Sequence, residues 1–309
     1  MTSCQDDRPA GYHDGELAVQ HRAGVAEQAA RLSGMLAPGE LRGGLSRFLA
    51  GQTFAALTAR APDGRLWVSP LSGTPGFLET TGPTTLTVRA APGPGDPLHD
   101  LAAGQPAGLV VVEFATRRRV RINGTLGVVN PGSLGIDVEQ AYGNCPQYIQ
   151  QRLLTPVTTA HQDPGVHRRD QLEPQDVALI RHADTFFIGT THPDRGADAS
   201  HRGGPAGFVR VHDGELWWPD YAGNNMFNTL GNLAVDPAAA LLFPDFATGR
   251  TLQLSGRART EWTAPGAPGD DDATGRIVHF TPDQVAAGLL LRVRAGTTEV
   301  PRFPDRDPC

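Results

Sequence analysis

Between residues 53 and 258 the chain spells one pattern twice. Glu113-Phe114-Ala115-Thr116 returns as Asp245-Phe246-Ala247-Thr248, Leu98 and Leu101 return as Leu230 and Leu233, Arg118 as Arg250, and Gly124 as Gly256, all at one spacing. Thr53-Phe54 returns as Thr185-Phe186 at that same spacing, whereas Ser69, Gly73, Gly76 and Phe77 return as Ser200, Gly204, Gly207 and Phe208 at a spacing one shorter. A repeat of this length restricts the chain to two similar units in tandem. Its 309 residues, 39% of them hydrophobic, suffice for two cores.

Each copy consists of short β-branched and aromatic runs broken by Gly, Pro and Asp; in the first these are residues 53–59, 65–71, 86–88, 109–114 and 119–126. Val120 with Ile122, and Leu252 with Leu254, set apolar side chains on one strand face. One helical stretch interrupts each copy, residues 98–103 or 226–233, and strands closing around a single helix suggest a small barrel. Further helices are expected over residues 25–36 and 174–182, and after Thr281-Pro282-Asp283-Gln284, which offers threonine as N-cap, proline at N1 and glutamine at N3. The Pro, Gly and Asp rich residues 264–275 are expected to form a mobile loop. The expected fold is mainly β with flanking helices: a helical lead-in over residues 1–45, a first barrel over 46–160 and a second over 161–309.

Composition excludes several kinds of chemistry. The 27 basic residues are all arginines, so neither a Schiff-base lysine nor a Walker-type P-loop is available, and a phosphate would have to be held by guanidinium forks, amides or backbone N–H groups. A net charge of −6 argues against a general nucleic-acid binder, the only dense basic run being Arg117-Arg118-Arg119-Val120-Arg121. Cys4, Cys145 and Cys309 form no CxxC pair, and the ten histidines show no metal-ligand spacing. No apolar run approaches the length of a membrane span and the start, Met1 to Asp7, is polar, so a cytoplasmic protein without a membrane partner is expected.

The two copies part company at two places. Before the internal helix the second reads Tyr221-Ala222-Gly223-Asn224-Asn225-Met226-Phe227-Asn228-Thr229, where the first has Ala91-Pro92-Gly93 opposite Gly223-Asn224-Asn225. Glycine admits close backbone approach, asparagines supply donors, and the helix that follows offers free N–H groups, which together make an anion site. Asn224 or Asn225 as a plain helix cap is the competing reading. The second break is Asp198-Ala199-Ser200-His201-Arg202-Gly203-Gly204 against Ser69-Pro70-Leu71-Ser72-Gly73, where donors replace apolar residues; an exposed polar loop is the alternative there.

These residues resemble the pyridoxamine 5'-phosphate oxidase-like, FMN-binding split-barrel family, over both copies and most strongly in the second. The resemblance implies two tandem FMN-binding split β-barrels, with the FMN phosphate cradled by Tyr221, Gly223, Asn224, Asn225, Asn228 and Thr229, and Ser200, His201, Arg202, Gly203 and Arg210 beside the ring. The family's Ser-Arg-Lys phosphate clamp is replaced by Gly223-Asn224-Asn225, so what carries over is flavin binding rather than pyridoxamine phosphate oxidation. Tandem members share Gly15-Glu16-Leu17-Ala18-Val19-Gln20 and Gly143-Asn144-Cys145-Pro146-Gln147, often with lysine where Gln147 stands. Family dimers hold FMN between two barrels, which implies that Arg118, Arg119, Arg121, Asn144 and Gln147 of the first copy cover a flavin held by the second. Arg118, Arg119 and Arg121 are otherwise a solvated strand face, and Cys145 a buried hydrophobe. The implied function is an FMN-dependent oxidoreductase acting on a small molecule, with His201 or Arg202 polarising flavin or substrate, and with a homodimer or an electron-transfer partner left open. A non-catalytic flavin-binding module, and F420-binding or haem-binding split barrels, are the alternatives.

Overall fold

The computed structural model describes residues 11–37, 39–157 and 165–296; Cys4, Cys309 and the polar start lie outside the described residues. Helix α1 (Asp14–Arg22) comes first, then α2 (Ala26–Ala30), a 3-10 turn at Ser33–Leu36 and α3 (Gly44–Ala50). The helix expected over residues 25–36 is thus broken, with Gly34 in the tighter turn, where its low helix propensity gives a continuous helix no support.

The first sheet contains β1 (Phe54–Arg60), β2 (Leu66–Ser72), β3 (Leu78–Gly82), β4 (Thr85–Val88), β5 (Pro106–Glu113), β6 (Arg118–Asn130) and β7 (Ser133–Asn144), in the spatial order β2-β1-β5-β6-β7-β4-β3. Strands β8 (Leu154–Pro156) and β9 (His167–Arg169) and helix α4 (Pro174–His182) lead to the second sheet. That sheet is built from β10 (Thr185–His192), β11 (Gly196–Gly203), β12 (Arg210–His212), β13 (Glu215–Pro219), β14 (Ala238–Pro244), β15 (Thr251–Trp262) and β16 (Arg276–Gly288), with α5 (Asn228–Val235) between β13 and β14. Its order is β11-β10-β14-β15-β16-β13-β12, strand for strand that of the first sheet, and β17 (Val293–Ala295) pairs back onto β8. The repeat in sequence is a repeat of topology: two split β-barrels, mainly β.

Strand faces explain the apolar runs. Ala55 and Leu57 of β1 and Leu109 and Val111 of β5 fill the first barrel, as Phe186, Ile188, Leu241 and Phe243 fill the second. The residues between them are apolar as well, because Phe54, Ala56, Val110 and Val112 meet Phe187, Ala240 and Leu242 in a third core between the barrels. A strand buried on both faces loses its alternation.

By this facing Ala55 is the counterpart of Phe186 and Phe54 that of Thr185, so the match of Thr53-Phe54 to Thr185-Phe186 is one residue out of register. Phe54 points at the sister barrel and Phe186 into its own, as a one-residue slip requires.

The other repeated residues are structural. Gly124 and Gly256 mark the register shifts of β6 against β7 and of β15 against β16. A Cβ there would stand 2.1 Å from the carbonyl oxygen of Asp137 or Thr281, which only glycine avoids. The acidic-Phe-Ala-Thr motif is a turn: the Asp245 carboxylate accepts from the backbone N–H groups of Ala247 (2.9 Å) and Thr248 (3.2 Å).

Two expected helices are absent. Residues 94–100 form turns, so only the second barrel carries the internal helix, α5. Thr281-Pro282-Asp283-Gln284 lies inside β16, where Gly256 opposes Pro282 and Ser255 opposes Gln284, leaving Asp283 as the extra residue of a bulge. Proline is tolerated at such an irregularity, and burial of Val278, Phe280 and Val285 outweighs the local helix-start signal. The run 264–275 is not a bare loop, since the Asp270 carboxylate draws it together through the N–H groups of Gly266 (2.9 Å), Thr274 (3.0 Å) and Gly275 (2.7 Å). Among the described residues no helix is long and apolar enough to cross a membrane.

Candidate functional site

Strand alternation builds one wall of the site. On β6, Val120 and Ile122 enter the first core, so Arg119 and Arg121 project from the opposite face, against β11 of the second barrel. Arg121 Nη1 reaches Asp198 Oδ1 (3.3 Å) and Asn228 Oδ1 (3.1 Å), and its Nε donates to the Asn144 amide oxygen (3.0 Å) in the amide orientation that satisfies both partners. Arg119 Nη1 donates to His201 Nδ1 (3.1 Å) and to the His201 carbonyl (3.2 Å). Arg202 Nη1 pairs with Asp220 (2.7 Å), whose other oxygen takes Arg276 Nε (2.9 Å).

Of the three arginines that converge here, Arg121 and Arg202 face carboxylates. Arg119 pairs with no carboxylate among the described residues, and its enclosed Nε has no acceptor. Burial, and then the Arg121 and Arg202 guanidiniums, push its pKa down to about 9. A guanidinium remains charged there at neutral pH, and an enclosed cation without a counter-ion favours binding of an anion.

His201 is buried edge-on against Phe114 and Phe187. Burial, then the charges of Arg119, Arg152 and Arg202, hold its pKa well below the ordinary histidine value, so the ring is neutral. With Arg119 donating to Nδ1, the network assigns the proton to Nε2, which is itself enclosed without a partner.

The opposite wall is the loop before α5. Asn225 and Phe227 both sit at φ 60°, a left-handed conformation that asparagine tolerates and phenylalanine seldom adopts, so strain is held at this point. Asn224 Oδ1 accepts from the N–H of Met226 (3.2 Å), and the N-cap of α5 is Phe227, without a side-chain cap. The helix-cap reading of Asn224 and Asn225 therefore fails, and the first N–H groups of α5 lack a side-chain cap.

Helix α1 braces this loop from behind. Glu16 accepts from Asn228 Nδ2 and from the His13 N–H (2.9 Å), and Gln20 Nε2 donates to the Met226 carbonyl (3.1 Å). The helices touch at glycines, for a Cβ on Gly15 would stand 2.3 Å from the Gly231 carbonyl oxygen. Desolvation, partly offset by the two hydrogen bonds, pushes the Glu16 carboxyl up to about 7.

One cleft of about 80 Å³ brings together Arg119, Arg121, Asn144, His201, Arg202, Tyr221, Gly223, Asn224, Asn225, Asn228 and Thr229. Ser200 lies beneath it, its hydroxyl bonded to Thr229 Oγ1 at 3.0 Å. Gly203 is covered by the strap after β7, where a Cβ would meet the Tyr148 carbonyl at 1.9 Å. Arg210 stands apart from the cleft, stacked on Trp217 (4.6 Å) and paired with Asp271 (2.8 Å). Arg118 and Gln147 line a neighbouring hollow of about 780 Å³ with Phe48 and Tyr148, and this hollow shares Arg119 and Asn144 with the cleft. Tyr148 stacks on Tyr221 at 4.8 Å, so one tyrosine from each lining is in contact with the other. Asp220 and the bracing role of Glu16 escape the sequence reading; arginines gathered on one face of a chain need buried carboxylates, and Asp220 directly precedes the Tyr221 run.

Residues 172–268 match the family model described as pyridoxamine 5'-phosphate oxidase. Over these residues the second barrel is similar to the pyridoxamine 5'-phosphate oxidase family. The match takes in β10 to β15 and α5, and hence the residues of the asparagine loop and the His201-Arg202 pair. No curated protein matches the chain. Among solved structures, HupZ of Group A Streptococcus is 12% identical, with a TM-score of 0.31, covering 41% of this chain and 100% of that one. A general stress protein 26-related protein of the pyridoxinephosphate oxidase family from Clostridium acetobutylicum is 16% identical, with a TM-score of 0.29, covering 40% and 91%. The FAD binding protein from Mycobacterium smegmatis is 13% identical, with a TM-score of 0.29, covering 41% and 100%.

Proposed function

We propose that this chain is an FMN-dependent oxidoreductase whose first barrel lends the arginine, Arg119, that holds the phosphate of a flavin anchored by the second. The observation that carries the reading is Arg119, a cation enclosed without a carboxylate partner among the described residues, in a cleft that also holds Arg121, Arg202 and the uncapped start of α5. Arg119, Asn224, Asn225 and Asn228 would hold the phosphate, through charge-assisted and amide hydrogen bonds of roughly 1.5 to 3 kcal/mol for each bond to a charged group. The hollow with Phe48 and Tyr148 would have room for the flavin's ring, beside the shared Arg119 and Asn144. When bound, FMN supplies hydride or electron transfer with a small-molecule substrate.

A second reading, a flavin-binding module without turnover, draws on a specific feature. His201 is neutral and packed between phenylalanines, and Arg202 is locked to Asp220, so neither stands ready to move a proton. Under the enzymatic reading their part is to orient and to polarise.

The test is to purify the chain, record its visible absorption and identify any released cofactor by mass spectrometry, which also separates FMN from F420 and haem. A colourless protein that fails to bind added FMN overturns the proposal. Asn224→Ala with Asn225→Ala is expected to weaken FMN binding, and Pro92→Ala in the first barrel to leave it unchanged. A yellow protein whose flavin no reductant or oxygen can alter would favour the module.

A further inference from the structure

The repeat places a second cleft opposite the first. Pro70 and Leu71 of β2 take the places of His201 and Arg202 of β11, Thr251 and Gln253 of β15 those of Arg119 and Arg121 of β6, and Asp96 that of Asn228. The reach across the interface is conserved between the two: Gln253 Nε2 donates to Ser69 Oγ (3.1 Å) and lies 3.4 Å from Asp96 Oδ2, much as Arg121 reaches Asp198 and Asn228. The chemistry is reversed. The guanidiniums and the imidazole at these positions have become neutral or apolar side chains and the amide has become a carboxylate, so an anion seated as in the first cleft would face one buried negative charge in place of the equivalent donors.

This second cleft has a volume of about 700 Å³, and Pro70, Leu71, Pro92, Leu134 and Leu290 give it apolar walls around Asp96. Asp96 is 2% exposed. Its Oδ1 takes the Ser69 hydroxyl and the Leu98 N–H (2.8 Å), while its Oδ2 has only the long contact with Gln253. Gln253 is itself fully buried, and its Oε1 has no donor. Of this group Asp96 lines the cleft, its Oδ2 keeps acceptor capacity there, and the complementary ligand brings an N–H.

The surrounding charges select a neutral ligand. Arg168 already acts on Asp96, and the cleft also holds Arg89, which is paired with Glu79, together with His99, Asp100 and Arg292. Burial, opposed by the hydrogen bonds of Ser69, Leu98 and Gln253 and by Arg168, leaves the Asp96 carboxyl at about 6, hence an acceptor in mildly alkaline solution.

We infer that this cleft binds a neutral, largely apolar heterocycle through an N–H directed at Asp96, separately from the anion cleft. The test is a ligand-observed NMR titration of the full chain in mildly alkaline buffer with indole, N-methylindole and inorganic phosphate as probes. Indole is expected to bind, N-methylation to weaken binding by about tenfold or more, and Asp96→Asn, which sets an N–H against the ligand's own, to weaken indole similarly. Asn224→Ala with Asn225→Ala should leave indole binding unchanged. The inference is overturned if indole does not bind, if N-methylindole binds as well as indole, or if Asp96→Asn leaves indole binding intact. It is equally overturned if phosphate binds twice per chain and Asp96→Asn removes one of the two sites.

Discussion

Arg119 and His201 meet across the barrel interface as a cation and a neutral imidazole, Nη1 to Nδ1 at 3.1 Å, with no carboxylate paired to either among the described residues. Neighbouring Arg121 and Arg202 each have a buried aspartate. The cleft is therefore charged unevenly by design of its walls: two guanidiniums are compensated and one is left to a ligand.

Arg119→Met should separate the cost of that cation from its use. Without ligand the variant is expected to be as stable as the parent or more stable by about 1 kcal/mol, because an uncompensated charge is replaced by an apolar side chain of similar length. Added phosphate or FMN should then raise the melting temperature of the parent, by the equivalent of about 2.7 kcal/mol at a hundredfold excess over Kd, and raise that of the variant far less. Thermal melts with and without ligand check both halves, and an equal rise in the two proteins contradicts the assignment of Arg119.

Asp220 holds two cations, Arg202 at 2.7 Å and Arg276 at 2.9 Å, and is itself buried. Removing one member of a buried ion pair leaves the other charged and unsolvated, so Asp220→Ala is expected to lose about 3 kcal/mol in urea unfolding. An exposed pair such as Arg42 with Glu40 should lose less than about 1 kcal/mol when Glu40 is replaced by alanine.

Much of this arrangement could be read from the chain. The repeat gave two barrels because Gly124, Gly256 and the turn at Asp245 recur for backbone reasons that any copy of the fold must meet. The asparagine run stood out because nothing in the first copy matches it. Register within the first hairpin was not legible, since Phe54 and Phe186 look alike although they face different cores, and strands buried on both faces carry no alternation to decide between them. The Thr281-Pro282 signal misled for a related reason: a helix-start pattern is local, whereas the pairing of β16 with β15 is not. Asp220 could not be found by pattern, because its role depends on Arg202 and Arg276, which only the folded barrel brings together.

Gly231→Ala should unseat α1. The new Cβ would stand 2.5 Å from Glu16 Cγ and 2.7 Å from the Glu16 backbone, and the backbone part of that clash cannot be relieved by a rotamer change. A loss of about 1 to 3 kcal/mol is expected, with weaker phosphate binding because the Asn228 loop loses its brace. Gly223→Ala, whose Cβ meets nothing within 4 Å, is expected to leave stability unchanged or raise it by about 0.4 to 1 kcal/mol. Urea unfolding of the two variants side by side distinguishes close packing from a general intolerance of change near the cleft.

The Glu16 carboxyl links α1 to pH. Its folded pKa of about 7 lies above the ordinary value of 4.5, chiefly because burial disfavours the carboxylate. Between those two values the unfolded chain has released this proton and the folded chain has kept it, so the group's contribution to stability falls as pH rises through the interval and levels off above it. The loss amounts to about 3 kcal/mol as an upper figure. His13 works in the opposite sense, since burial, and then His192, lower its pKa to about 4, and its neutral folded form costs stability as pH falls below 6.5. Parent and Glu16→Gln should therefore be compared by urea unfolding at matched pH across the range. The variant cannot ionise at this position, so its stability relative to the parent is expected to improve steadily as pH rises from 4.5 to 7, whatever His13 contributes to both. A difference that stays constant with pH would show that Glu16 is not the group that titrates.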